Sequence, residues 1–172
     1  MKKTAVIVSL IVVFVLLTIL AIFFFMFPIK YEDLVKKYSE KYNLDTAFVL
    51  SIINVESSFD KTAKSRAGAL GLMQLLPSTA TEIAQKLGMD DFAVDMLYEP
   101  EINISFGCYY MRYLLDLFNG DRDKAVCAYN AGYNNVLNWQ DENGNLLEIP
   151  FAETKSYLRK INLNYKVYKY IF

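Results

Sequence analysis

Glu56 is the residue best placed to do chemistry. Val49, Ile52, Ile53 and Glu56 fall at i, i+3, i+4 and i+7, so on a helix the carboxylate shares a face with three aliphatic side chains. Glu56 also falls where that helix should end, at the negative end of its dipole. Loss of water and the dipole both disfavour charge, so both push the pKa up. A carboxylic acid kept neutral near pH 7 can donate a proton. Taken alone, the spacing favours a plainer reading, a helix-end glutamate that reaches solvent or pairs with a cation. The chain has no histidine. That removes Ser-His-Asp, Cys-His and His-ligated zinc chemistry together, and leaves Glu, Asp, Lys, Tyr and Cys for acid/base work.

Two further clusters stand out. Gly71-Leu72-Met73-Gln74 follows a loop punctuated by Gly68 and precedes Pro77. Glycine allows a backbone to approach a ligand closely, and Gln74 offers both a donor and an acceptor for hydroxyl or acetamido groups. Ala128-Tyr129-Asn130-Ala131-Gly132 sets an aromatic ring and an amide at a helix end. Either cluster by itself fits ordinary packing.

Together these segments resemble the catalytic domain of the soluble lytic transglycosylase family, a lysozyme-like fold. The resemblance rests on Glu56-Ser57-Ser58-Phe59, on Gly68 to Ala80, on Asn103-Ile104 with Gly107, on Ala128 to Gly132, and on Pro150 to Thr154. The five motifs occur in the family's order and cover nearly everything from Tyr31 onward. The resemblance implies that Glu56 is the single catalytic acid/base. It implies that Gln74 and Tyr129 line the sugar groove, that Asn130 is the amide beside that tyrosine, and that Glu153 is a groove carboxylate. It also implies that Met73 is a groove wall whose thioether adapts to a sugar face. Lys155 stands where arginine often follows Glu-Thr, Asp60-Lys61 replaces a common Asn-Pro or Asp-Pro, and Cys127 stands where a small residue is usual.

The chemistry so implied differs from that of most glycosidases, which use two carboxylates. Here one carboxyl would protonate the oxygen between N-acetylmuramic acid and N-acetylglucosamine. Once ionised, it would take the proton from the muramyl 6-hydroxyl, which closes to a 1,6-anhydro end. No metal or cofactor is required. The expected partner is the peptidoglycan glycan strand. Two alternatives remain open: a hydrolase resembling goose-type lysozyme, and a non-catalytic wall-binding module within a cell-envelope protein machine.

The elements that must position these residues fall in two parts. Residues 1–29 carry Lys2 and Lys3 and then an uncharged run rich in Val, Ile, Leu and Phe. It exceeds the roughly 20 residues needed to span a bilayer. It ends in Phe23-Phe24-Phe25 without the small-residue site of a cleaved signal. It therefore reads as a single-pass membrane anchor, and the resemblance implies that the membrane is a bacterial cell membrane. Lys2 and Lys3 favour a cytoplasmic start and an extracytoplasmic domain, against a counterweight from Lys30, Lys36 and Lys37.

Residues 30–172 suffice for one domain. The whole chain has a net charge of −1, and the domain, without Lys2 and Lys3, is more negative still and has no dense basic block, which argues against nucleic acid. The pattern predicts a mainly α domain with at most a small β element. Helices are expected over residues 31–42, over 46–57 capped by Asp45, from Pro77 to Gly88 and over 100–118. Two more are expected from Asp121 to Gly132 and from Ala152 onward. Asn143-Gly144 marks a tight turn. Cys108 and Cys127 would sit about six residues out of register on an antiparallel hairpin. That is roughly 9 Å along a helix, too far for a disulfide.

Overall fold

In the computed structural model the described residues are 2–171. Met1 and Phe172, the outer ends of the two expected segments, lie outside them. So do the side chains of residues 2–6 and 8, including the orienting lysines Lys2 and Lys3. The elements in order are α1 (Lys2–Met26), α2 (Glu32–Lys41), α3 (Thr46–Ser57), α4 (Pro77–Lys86), a 3-10 turn (Val94–Tyr98), α5 (Pro100–Leu117), α6 (Arg122–Ala131), α7 (Tyr133–Asn138) and α8 (Ala152–Ile171).

Beyond Lys3, α1 carries no charged residue, and its end at Met26 is held to the domain by Asn54. From Ser9 to Met26 none of it is buried. Its 25 residues make a rod of about 37 Å, against a hydrocarbon thickness of about 30 Å. By length and composition it can cross a membrane.

Local chemistry sets most of the remaining boundaries. Asp45 Oδ1 accepts from the Ala47 amide at 2.9 Å, fixing the start of α3. Asp121 does the same for α6 through Lys124 at 3.1 Å. Pro77 and Pro100 occupy first-turn positions of α4 and α5. No strand forms among the described residues. There are isolated antiparallel bridges, one of which, Gln140 with Leu146, closes the turn at Asn143-Gly144.

The core has two parts. The larger joins α2, α3, α5, α6 and α8 around Leu50, Ile52, Ile53, Met111, Leu114 and Ile161. The smaller gathers Leu70, Leu75, Ile83, Leu97 and Phe106 beneath α4 and the 3-10 turn. Tyr110 and Tyr129 pack against both, so the seam between the two cores is floored by tyrosine. Cys108 and Cys127 are free and buried, as their helical register predicts.

Candidate active site

α3 delivers Glu56 to one side of that seam. Val49, Ile52 and Ile53 are fully buried in the larger core, and the same stripe carries Glu56, in the helix's last turn, to the edge. Glu56 is partly buried, and its Oε1 accepts a 2.6 Å hydrogen bond from the Tyr157 hydroxyl. Burial raises its pKa from 4.5 to about 7. The Tyr157 bond opposes that rise, and the nearby Glu153 carboxylate adds to it. Tyr157 belongs to α8 and is itself buried; burial and the Glu56 charge hold its phenol well above the usual range. Glu56 is thus held toward its neutral, proton-donating form.

The other wall is built by the loop between α3 and α4. Gly71 has φ +76°, and a Cβ there would collide with Asn103 Nδ2 and the Leu97 carbonyl. That closeness lets the fully buried Asn103 side chain tie three strands of chain together. Its Oδ1 accepts from the Met73 amide at 2.7 Å, and its Nδ2 donates to the carbonyls of Leu70 at 3.0 Å and Leu97 at 2.8 Å. The Met73 carbonyl in turn accepts from the Tyr129 hydroxyl at 2.8 Å. Ser57, next to Glu56, donates to the Leu72 carbonyl at 2.8 Å. The loop is therefore bonded both to the helix bearing Glu56 and to Tyr129.

Met73 differs from expectation. Its side chain is fully buried, with the sulfur against Gly107. A thioether closed in by that close helix approach is core, not groove wall; what Met73 offers the site is its backbone carbonyl. Gln74 is at the surface of the groove, but its Nε2 is committed to the loop, donating to Gly71 at 2.8 Å and Ala63 at 3.1 Å. Its carbonyl oxygen is the half that can meet a ligand. Asn130 Oδ1 accepts from Thr154 at 2.7 Å, which turns its amide nitrogen outward. Glu153 is exposed in the first turn of α8.

Three adjoining cavities form one groove. The first, about 340 Å³, is lined by Val55, Glu56, Asn130, Glu153, Tyr157 and Lys160 among others. The second, about 370 Å³, shares Asn130 and continues along Gln74, Tyr110, Tyr129 and Tyr133. The third, about 300 Å³, shares Tyr110 and Tyr133 and runs out over Tyr113 and Lys86. Glu56, Gln74, Tyr129, Asn130 and Glu153 thus line or border one groove. Among the described residues no cluster of three His, Cys, Asp or Glu side chains is arranged to hold a metal.

Tyr157 carries no signal in the local sequence beyond its place in a helical stripe. Its partner is 101 residues away. The substituted positions are quiet: Lys155 pairs with Glu148 at 2.7 Å, and Asp60 holds Thr62 through its amide at 2.8 Å and its hydroxyl at 2.7 Å.

A mainly helical domain with a buried-edge glutamate over a tyrosine-floored groove has the architecture of a lysozyme-like fold. The chain belongs to the Transglycosylase SLT domain family, whose model matches residues 33–151. It is similar to the soluble lytic murein transglycosylase of Salmonella typhimurium, 33% identical over 150 residues, covering 83% of this chain and 23% of that protein. It is similar also to the membrane-bound lytic murein transglycosylase C of Edwardsiella ictaluri, 32% identical over 169 residues, covering 83% of this chain and 47% of that one. Among solved structures, the 70 kDa soluble lytic transglycosylase of Escherichia coli superposes with a TM-score of 0.78 at 31% identity, over 84% of this chain and 25% of that one. An inactive glutamate-to-glutamine mutant of the Pseudomonas aeruginosa lytic transglycosylase Slt gives 0.77 at 32% identity, over 83% and 24%. The chain thus spans less than half the length of these relatives.

Proposed function

We propose that this chain is a peptidoglycan lytic transglycosylase held at a membrane by residues 1–29, with residues 30–172 forming the catalytic domain. Its relatives carry that activity in their names, and one observation in the fold supports it most. Glu56 is a carboxyl whose pKa is raised to about 7 by burial, at the lip of a groove. A group poised near the operating pH serves as acid in one step and base in the next.

The reaction divides as follows. Tyr157 donates to Glu56 Oε1 and leaves Oε2 to carry the exchangeable proton. Glu56 gives that proton to the oxygen leaving from N-acetylmuramic acid. The glutamate so formed removes the proton of the muramyl 6-hydroxyl, which closes on the anomeric carbon as a 1,6-anhydro ring. No water is consumed, and Glu56 ends as it began. Gln74 through its carbonyl, Asn130 through its amide nitrogen and Tyr129 through its ring hold the sugar. Glu153 keeps the neutral form of Glu56 favoured by its charge. The domain faces the extracytoplasmic side, where the wall lies.

The test is Glu56→Gln in the full chain. It should fold and bind insoluble peptidoglycan while releasing no soluble muropeptides. Release at the wild-type rate would reject Glu56 as the acid.

A further inference from the structure

The polypeptide between the apolar helix and the domain is short and tied down. α1 ends at Met26 and α2 begins at Glu32. Asn54 Nδ2 donates to the Met26 carbonyl at 2.9 Å and to Asn164 Oδ1 at 2.7 Å. Tyr168, fully buried, donates its hydroxyl to the Pro28 carbonyl at 2.8 Å and meets the Phe27 ring edge-on at 6.0 Å. Phe27 and Tyr31 pack on the larger core. The last turn of α1 is therefore seated on the fold and does not trail a free linker.

The seat is made by the two helices that make the site. Asn54 lies on α3 two residues before Glu56. Asn164 and Tyr168 lie on α8, which also carries Tyr157 and the cavity-lining Lys160. Asn164 Nδ2 donates to the Lys160 carbonyl at 2.9 Å, joining seat and cavity by one turn of helix. One hydrogen bond, two side chains and two helical residues separate the Met26 carbonyl from the Glu56 carboxyl. Covalent geometry limits that path to roughly 20 Å. The headgroup layer is about 5–8 Å deep on each face of a bilayer. With Met26 at the end of the apolar stretch, the groove opens within a few residues' length of the lipid headgroups.

We infer that α1 is a positioning element: seated on the helix that carries Glu56, it confines cutting to glycan strands lying against the membrane surface. The inference rests on the membrane-held transglycosylase reading above and names the part of the wall that such an enzyme reaches. A flexible tether would do the opposite, since a 20-residue Gly/Ser linker adds a root-mean-square reach of about 25 Å.

The experiment compares the full chain with a variant carrying a 20-residue Gly/Ser insertion between Phe25 and Met26. The insertion leaves Met26, Phe27 and Pro28 on their seat and frees the membrane helix. Both proteins are reconstituted in phospholipid vesicles and given peptidoglycan glycan strands, either borne on a polyprenyl lipid in the same bilayer or free in solution. The wild type should prefer the lipid-borne strands by roughly tenfold or more, from effective concentration at a matched height. The insertion should narrow that preference several-fold. In detergent the two should cut free strands equally.

A second readout needs no activity. Trp139 is the single tryptophan of the chain, and its energy transfer to dansyl-labelled headgroups should fall by half or more on insertion. Equal transfer, or an equal strand preference in the two proteins, overturns the inference. If neither protein cuts in detergent while the transfer difference stands, the activity reading fails and the seating is upheld.

Discussion

Replacing Glu56 by glutamine should make the domain more stable at alkaline pH and leave it unchanged at acid pH. The native carboxyl titrates at about 7 and the unfolded one at 4.5. Between those values the folded chain holds a proton that the unfolded chain has released, so stability falls as pH rises through this window. Each pH unit is worth about 1.4 kcal/mol, which makes the full cost of ionising Glu56 about 3 kcal/mol. Glutamine cannot ionise, and it can keep the 2.6 Å bond from Tyr157 through its carbonyl oxygen. For a domain of this size, that should raise the melting temperature by roughly 6–12 °C at pH 8, with no difference near pH 4.5. The assay is thermal unfolding of the full chain in detergent micelles, followed by Trp139 fluorescence from pH 4.5 to 8.5. Parallel stability curves for the two proteins across that range would refute the reasoning, because the burial said to tune Glu56 would then cost nothing.

Tyr157→Phe removes a bond that favours the ionised form, so the basic limb of the kcat/KM–pH profile should move to higher pH. Glu153→Gln removes a charge that favours the neutral form, so the same limb should move to lower pH; opposite or absent movement in either profile would contradict the assigned causes. Gly71→Ala adds a Cβ at positive φ against Asn103 and the Leu97 carbonyl. It should cost about 2–4 kcal/mol in urea unfolding, through strain and broken buried hydrogen bonds.

What the sequence made legible was local. Asp45 and Asp121 accept from amides two and three residues on, and Pro77 and Pro100 fit first turns, so those helix starts follow from neighbours along the chain. The face of α3 was readable because burial of Ile52 and Ile53 dictates where Glu56 points. The short α7 and the 3-10 turn at Val94–Tyr98 were not readable, since five or six residues carry too little periodicity. The burial of Met73 depends on Gly107, and the partner of Glu56 is Tyr157; both pairings span long loops and become visible only once the helices pack. The seating of α1 on Asn54 and Tyr168 is of the same kind. An apolar run announces a membrane helix, but nothing in it announces what its last turn touches.

The most direct measurement is the mass of the sugar ends released when the full chain digests purified peptidoglycan. The account predicts muropeptides ending in 1,6-anhydro-N-acetylmuramic acid, lighter by one water than their reducing counterparts, and none from the Glu56→Gln protein. Reducing ends from the wild type would mean that water, not the muramyl 6-hydroxyl, attacks, and would contradict the account.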